Sequence, residues 1–340
     1  MSTLKACQKL PQAEREVWEG GIIKLRSWVM DEKQQPIRPA MAICLDLQSG
    51  TIIGHELTSK PLAPKNFLKQ ILAVMAKPQI GPPRRPTHLC LQDAALAEHL
   101  REPLASLGVT VEVIDRFIAL DKVMDMVMES IRAEDSSESF PGLLSIGGVT
   151  HEYAEHFFQV AAQFHRHAPW QYISDYTPLQ VECPHFFRSP LYFVVMGNAG
   201  MEYGLGLFPN LEEIVMLYAV GIPKGEELPD VRTASLLFSD PTFVSFEDLD
   251  AIEQHGWEIA APHAYPHLFK LSPKRKPPMR APSFAMVQVF EAGLLALPDF
   301  LSKHKTKIKT GKVCAAEITI ETFHGPWPVH ITVPPPEPPF

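Results

Sequence analysis

The sequence predicts an α/β fold of α+β character: a mixed sheet with helical crossovers, followed by a second α+β domain. Short apolar runs of strand length alternate with longer runs of helical periodicity through residues 1–132. A polar stretch at 133–142 interrupts this alternation before it resumes. A chain of 340 residues is also too long for one ordinary domain. We therefore predict an N-terminal domain over 1–132, a linker over 133–142 and a C-terminal domain over 143–333.

Each element of the N-terminal domain is predicted from the apolar pattern of its own segment. Gln48-Ser49-Gly50 is a hairpin signal between the second and third strands. Gly108 ends the second helix, and Pro103 is expected to kink or shorten it. Strands are expected at 21–30, 41–47, 51–57, 87–92 and 109–114. Helices are expected at 64–77, 93–107 and 119–132.

The C-terminal domain opens with a helix that Thr150 caps and that Pro169-Trp170 ends. Apolar residues cover most of its circumference, so this helix is expected to be buried. Further helices are predicted from Asn210, over 245–256 and over 282–302. Strands are predicted at 191–196, 201–207, 234–239, 257–259, 266–271, 313–323 and 329–333. The proline-rich tail, residues 334–340, is predicted to be extended.

The distribution of charge restricts the partners that the sequence predicts. The net charge is −8, but residues 270–312 contain ten Lys and Arg against two acids, a local charge of +8. Nucleic acid is a disfavoured partner for the rest of the chain, which is acidic, because the affinity of a protein for nucleic acid depends mainly on neutralising phosphates with basic residues. Only the basic 270–312 stretch could meet it, and a solvated face is the simpler interpretation of that stretch. The partner is unknown from the sequence, and another protein is the candidate.

Three observations predict a cytoplasmic protein with no membrane partner. The sequence contains no run of about 18 apolar residues, so no transmembrane helix is expected. The first residues lack the apolar core of a signal peptide. The five cysteines are scattered and odd in number, which favours a reducing compartment.

Four segments carry a resemblance to a known group of proteins. They are residues 157–170, 194–205, 256–266 with its Gly256-Trp257 and Ala264-Tyr-Pro266 pieces, and 294–301. On these residues the chain resembles a bacterial family of two-domain proteins in which both domains are of unknown function. The resemblance implies the two-domain layout, and it brings no activity and no functional residues.

Two aspartates are the candidate catalytic and metal-binding residues. Asp46 ends the apolar run 41–46, and Asp93 ends the run 88–93. If these runs are neighbouring parallel strands, both carboxylates lie at the carboxyl edge of one sheet, where open α/β sheets place ligands. This placement of acids resembles the ribonuclease-H-like fold of nucleases and transposases, with Glu129 as a third acid. The resemblance implies a nuclease that uses Mg²⁺ or Mn²⁺ held by Asp46 and Asp93.

A structural interpretation competes for each of these acids. Asp93 has the position of an ordinary helix N-cap, and Asp46 precedes a turn. Glu129 recurs at helical spacing with Asp121 and Asp125, which predicts a charged, solvated stripe. The nuclease, or a degenerate relative that kept the fold and lost activity, is therefore the alternative prediction.

Other motifs that bind metals or cofactors are incomplete. His151-Glu152 and His156 are spaced one residue too far apart for the zinc-protease pattern, and no C-x-x-C is present. The glycines at 197–206 precede a strand and not a helix, so a hairpin is expected in place of a phosphate loop. No cofactor is expected outside the nuclease alternative.

Aromatic residues of the second domain predict a ligand cleft, with core packing as the competing interpretation. The candidate cleft residues are Trp170, Glu202, Tyr203 and Trp257. A small-molecule enzyme that uses Glu202 or His165 beside Trp170 is a further alternative. The leading prediction is a binding or adaptor module without catalysis.

Overall fold

The chain divides into two compact units, Met1–Ser137 and Glu138–Phe340. The computed structural model describes residues 2–59, 62–134, 140–187, 189–220, 231–272 and 279–334. The division lies inside the segment 133–142, which the sequence predicts as the linker. Residues 135–139 of that linker and 335–340 of the predicted tail lie outside the described residues.

The first unit combines a five-stranded sheet with helices. Its elements are α1 (Ser2–Gln8), β1 (Val17–Lys24), β2 (Val29–Met30), β3 (Pro36–Ile37), β4 (Ala40–Asp46), β5 (Thr51–Thr58), α2 (Pro64–Ala76), β6 (His88–Leu91), α3 (Ala94–Ala105), β7 (Thr110–Val113) and α4 (Leu120–Glu134). The sheet has the order β5-β4-β1-β6-β7. β1 pairs antiparallel with β4 and parallel with β6, and β6 and β7 are parallel. The predicted mixed sheet with helical crossovers is thereby confirmed, and the ribonuclease-H-like outline stays a prediction.

The first strand occupies Val17–Lys24, so its predicted range of 21–30 is wrong. Trp18 and Glu19 at its start are fully buried, because β1 is the central strand. The buried carboxylate of Glu19 accepts hydrogen bonds from the backbone N–H groups of Ile118 (2.7 Å), Ala119 (3.0 Å) and Leu120 (2.8 Å). These donors lie at the first residue of α4 and at the two residues before it, where backbone N–H groups have no partner inside the helix, so Glu19 completes the N-terminus of that helix.

Helices cover both faces of this sheet. Ala42 and Cys44 of β4 join a core that also contains Phe67 of α2 and Leu100 of α3. The intervening residues Ile43 and Leu45 join a second core with Phe117, Leu120 and Met124. Successive residues of a strand point to opposite faces, so β4 is apolar throughout because both of its faces are buried.

The second unit is built around an eight-stranded antiparallel sheet. Its elements are α5 (His151–His167), β8 (Leu179–Glu182), β9 (Leu191–Met196), β10 (Tyr203–Phe208), α6 (Leu211–Val220), β11 (Thr233–Ser239), α7 (Phe246–His255), β12 (Tyr265–Leu271), β13 (Met279–Arg280), α8 (Phe284–Lys309), β14 (Cys314–Thr322) and β15 (Gly325–Val333). The strand order is β13-β12-β11-β10-β9-β8-β15-β14. The predicted α+β character of the second domain is confirmed. The predicted strand at 257–259 is wrong, because Trp257 is buried in the core beside Phe158 and no strand forms there.

The long helix α8 is the centre of the second core. Phe290 of α8 contacts Phe193 of β9. A Cβ added at Gly293 would lie 2.8 Å from the Phe193 ring, so α8 and β9 approach closely there. By length and composition alone α8 could cross a membrane, but 67% of its most apolar 18-residue stretch is buried inside the structure. Such burial is typical of the core helix of a soluble domain.

Candidate functional site

The candidate site is a cleft of about 530 Å³ in the second unit. It lies at one end of three neighbouring strands, where Tyr203 of β10 pairs with Phe238 of β11, and Leu237 of β11 pairs with His267 of β12. Its aromatic lining residues are Phe140, Tyr203, Phe238, Phe243 and Phe269. Its polar lining residues are Glu202, Ser239, Asp240, His263 and His267.

His267 is the most unusual polar residue of this cleft. Its side chain is only 4% exposed, and its ring lies 5.1 Å from Phe140 and 5.0 Å from Phe269. Burial lowers the pKa of His267 from 6.5 to about 4, so the ring is neutral at pH 7. Its Nε2 atom is buried and has no hydrogen-bond partner among the described residues. Such a buried, unpaired polar atom is costly to the stability of the fold.

The charged groups of the cleft lie at its exposed edge. Asp240 accepts a hydrogen bond from Nδ1 of His263 at 2.5 Å, and both side chains are largely exposed. Glu202 is exposed and makes no ion pair within the described part of the chain. In that same part, no Lys or Arg lines the cleft.

A buried carboxylate positions the segment that brings Phe140 to the cleft. Asp248 of α7 accepts hydrogen bonds from the backbone N–H groups of Leu143 (2.6 Å) and Leu144 (3.0 Å). Burial raises the pKa of Asp248, although these hydrogen bonds oppose the change. A Cβ added at Gly142 would lie 2.3 Å from Oγ of Ser245, so glycine is required where this segment passes α7.

Two family matches establish what kind of chain carries this cleft. Residues 3–128 match the family described as Domain of unknown function (DUF6930), and residues 155–310 match Domain of unknown function (DUF7309). The chain is a tandem of two domains of unknown function. The predicted resemblance to a two-domain family is thereby confirmed, and the bacterial origin stays a prediction.

The other comparisons add no functional information. No curated protein matches this chain. The chain is similar, at 10% identity and a TM-score of 0.26, to a chain in the cryo-EM structure of the simian T-cell lymphotropic virus intasome in complex with PP2A regulatory subunit B56 gamma. That similarity covers 59% of this chain and 78% of the other. At that TM-score it supports no statement about fold or function.

Two of the four predicted cleft residues line the cleft of the second unit. Glu202 and Tyr203 belong to its lining, and Trp170 is buried behind it, 4.8 Å from the Tyr203 ring. Trp257 is 4% exposed and packs on Phe158, so it belongs to the core and not to the cleft lining. His165 packs 4.8 Å from Phe238, and burial together with Arg166 lowers its pKa.

Sequence reasoning missed His267, the one buried polar residue among the described lining residues of the cleft. A single histidine in the apolar run Tyr265–Leu271 gives no functional motif. The available signal was the alternation of that strand, which places His267 and Phe269 on the same face.

The predicted meeting of Asp46 and Asp93 in the DUF6930 domain is wrong. Asp46 pairs with Trp18 at the start of β1, whereas Asp93 lies four residues beyond Leu89, the other partner of Trp18. Four residues span about 13 Å along a strand. Because β1 also separates β4 from β6, the two carboxylates lie at opposite ends of the sheet.

Each aspartate instead has a local structural partner. Asp93 accepts a hydrogen bond from the backbone N–H of Leu96 (2.9 Å) as the N-cap of α3. Asp46 accepts one from the hydroxyl of Ser49 (2.6 Å) in the turn between β4 and β5. Glu129 lies within α4, but its side chain is outside the described residues. In the described part of the chain no group of three His, Cys, Asp or Glu side chains could hold a metal ion.

We predict that Asp93→Ala lowers the free energy of unfolding of the DUF6930 domain by about 1 kcal/mol, the usual cost of a lost N-cap. The measurement is urea denaturation of the wild type and the variant.

A parallel thermal melt with millimolar Mg²⁺ or Mn²⁺ compares the wild type with Asp46→Asn/Asp93→Asn, and we expect equal midpoints with and without metal. An unchanged free energy of unfolding for Asp93→Ala would contradict the capping role, and a metal-dependent rise that only the wild type shows would indicate a metal site at these aspartates.

Proposed function

We propose that this protein is a binding module without catalysis, and that the cleft of the second unit holds a small-molecule ligand. One observation carries the proposal: five aromatic side chains and a few polar groups line one cleft of this unit. The cleft volume of about 530 Å³ is within the range of about 300–1,000 Å³ that ligand sites occupy. Apolar walls with a few polar groups are also typical of such sites.

The arrangement of polar groups favours binding over hydrolysis. Asp240 and His263 form an acid–histidine pair, as in a hydrolytic triad, and Ser239 lines the same cleft. In the described structure, however, the Ser239 hydroxyl makes no hydrogen bond to His263, whose side chain is 82% exposed. A serine without an adjacent base is a weak nucleophile, so this group of residues lacks the contact that would activate it.

The same proposal includes the compartment and the wider set of partners. All five cysteines are buried and unpaired, and burial raises the pKa of Cys44 to about 12 and that of Cys183 to about 11. Such thiols are inert small hydrophobes, which suits a reducing cytoplasm.

The lysines at the end of α8 are exposed to solvent, so an acidic protein surface is a second partner that this module could meet.

Ligand-observed NMR with a mixed set of small aromatic and aliphatic compounds tests the proposal. The wild type is expected to bind several of them, and Ser239→Trp, which fills the cleft, is expected to bind none of these. Thr319→Trp is the matched control, because Thr319 is exposed on β14 and away from the cleft lining. Equal binding by the wild type and Ser239→Trp would overturn the proposal, as would a complete lack of binding by a folded wild type.

A further inference from the structure

The strand β14 forms a long and regular edge of the second sheet. It is the last strand in the order of that sheet, and in the described part of the chain it pairs with β15 alone. Its nine residues keep one register with β15 from Cys314 to Thr322, without a bulge. The other edges of the two large sheets are shorter or irregular: β13 has two residues, β7 has four, and β5 pairs with β4 through a register shift at Cys44/Leu45. Short and bulged edge strands discourage pairing with a further strand, and β14 has neither protection.

The register shows which backbone groups of β14 face outward. Alternate residue pairs of an antiparallel ladder exchange hydrogen bonds. Pro326 and Pro328 of β15 have no N–H to exchange, and they lie opposite Glu321 and Thr319. The hydrogen bonds to β15 therefore come from the intervening residues of β14. The groups that point away from β15, and with which a further strand can pair, are the N–H and C=O groups of Ala315, Glu317, Thr319 and Glu321.

One face of this edge is acidic. Glu317 and Glu321 are exposed, and the register places His330 and Pro326 opposite them on β15. An added strand would place its own side chains beside these carboxylates on the other side, where opposite charges stabilise the pairing and like charges weaken it. A second copy of β14 would bring two further glutamates to the same face, so self-pairing is disfavoured. This face therefore selects Lys or Arg in the added strand.

The other face of the edge is apolar. Ala316 and Ile318 alternate with the glutamates and point to the opposite side of the sheet. Both are half-buried, and both pack against the core together with Ile308 of α8. An added strand would bury the accessible part of these side chains with apolar side chains of its own. Because successive residues of a strand point to opposite faces, the matching strand has basic and apolar residues in alternation.

We propose that β14 is a docking strand for an extended segment of a partner protein in which basic and apolar residues alternate. The segment extends the eight-stranded sheet by one strand, through main-chain hydrogen bonds to the outward-facing groups of β14. Its basic side chains lie beside Glu317 and Glu321, and its apolar side chains lie beside Ala316 and Ile318. None of the described lining residues of the cleft belongs to β14, so this surface is independent of the proposed ligand site.

Three synthetic peptides test the proposal by fluorescence anisotropy with the full chain at pH 7.5 and low salt. The basic peptide is Val-Lys-Val-Thr-Val-Lys-Val, whose two lysines have the same spacing as Glu317 and Glu321, and the acidic peptide has Glu in place of both lysines. The third is the basic peptide with its Lys and Thr amide nitrogens methylated, which removes the donors that face β14. The basic peptide is expected to bind about tenfold more tightly than the acidic one, which corresponds to about 1.4 kcal/mol. The methylated peptide is expected not to bind.

Variants separate backbone pairing from the charge preference. Thr319→Pro removes an outward-facing N–H, at a position where edge strands tolerate proline, and is expected to weaken binding of the basic peptide about tenfold. Thr319→Val keeps that N–H and is expected to bind like the wild type, and a thermal melt verifies that both variants are folded. Glu317→Gln/Glu321→Gln is expected to reduce the tenfold preference to less than about threefold. Glu155→Gln/Glu212→Gln is the matched control, because both glutamates are exposed on helices, α5 and α6.

Three results would overturn the proposal. The first is equal binding of the basic and acidic peptides, or equal binding of the basic peptide and its methylated form. The second is no binding of the basic peptide by the folded wild type, which would leave the glutamates as charges that protect the edge from aggregation. The third is a wild-type dimer in analytical ultracentrifugation that Thr319→Pro makes monomeric, because a second copy would then occupy β14. None of these results affects the proposed ligand binding in the cleft.

Discussion

Glu291→Ala is expected to lower the free energy of unfolding of the second unit by about 3–5 kcal/mol, the usual cost of breaking a buried charged network. Glu291 is 0% exposed and lies on α8, in the centre of the core. Its carboxylate accepts hydrogen bonds from the Tyr153 hydroxyl (2.7 Å), Nε2 of His156 (2.9 Å) and the backbone N–H of Phe323 (2.7 Å). Removing it leaves the buried Tyr153 hydroxyl without an acceptor, and the partly buried donors of His156 and Phe323 lose their charged partner.

The three donors belong to parts of the chain that are far apart in sequence. Tyr153 and His156 lie on α5, and Phe323 lies in the turn between β14 and β15. Burial by itself would raise the pKa of Glu291, but the hydrogen bonds from His156, Phe323 and Tyr153 outweigh it and hold that pKa below its ordinary value. The carboxylate is therefore ionised at pH 7 and connects α5, α8 and the final hairpin through charge-assisted hydrogen bonds.

Urea denaturation followed by tryptophan fluorescence measures this effect. Glu291→Gln keeps one acceptor oxygen and is expected to cost less than the alanine variant. Tyr153→Phe removes one donor and is expected to cost about 1 kcal/mol. Glu321→Ala is the matched control on the exposed face of β14, with an expected change within about 0.5 kcal/mol. A loss below 1 kcal/mol for Glu291→Ala would show that the network does not stabilise the unit.

The strands and helices of the DUF6930 domain could be predicted where the apolar pattern was continuous. β4 is buried on both faces, so its sequence contains the uninterrupted apolar run Met41–Leu45. The start of β1 could not be predicted in this way, because it contains the charged Glu19. The partners that satisfy this carboxylate lie 99 to 101 residues further along the chain. Local patterns contain no information about such distant donors.

The aspartate hypothesis failed because the order of strands in a sheet is not their order in the chain. The interval between Asp46 and Asp93 contains a hairpin and a helix, and this permits adjacent strands. The structure instead inserts β1 between β4 and β6, and these two strands run in opposite directions. The capping role of Asp93, in contrast, follows from its position before a helix and could be predicted locally.

The cleft could be predicted only in part, for a similar reason. Glu202 and Tyr203 follow a turn beside an aromatic-rich segment, so the sequence indicated them. Phe140, which joins the same lining, lies 127 positions before His267, and only the folded unit brings them together. Trp257 has the composition of a cleft residue but is used as core, because residue type alone does not report burial.

Acidification from pH 7.5 to pH 4 is expected to cost the second unit about 3 kcal/mol of stability through His267 alone. In the folded state burial lowers the pKa of His267 from 6.5 to about 4. Between these values the unfolded chain binds a proton that the folded unit does not bind. Stability therefore increases with pH through this window and is lost as the pH decreases from about 6.5 to about 4.

His267→Leu isolates this contribution, because leucine fills a similar volume and does not titrate. Urea denaturation at several pH values is expected to give the variant a shallower loss of stability than the wild type between pH 6.5 and pH 4. At pH 7.5 the variant is expected to be at least as stable, since it removes a buried polar atom that has no partner in the described structure. His167→Gln, at the exposed end of α5, is expected to keep the wild-type slope. Parallel stability curves for the wild type and His267→Leu would mean that the imidazole is hydrated in solution and that its burial does not lower its pKa.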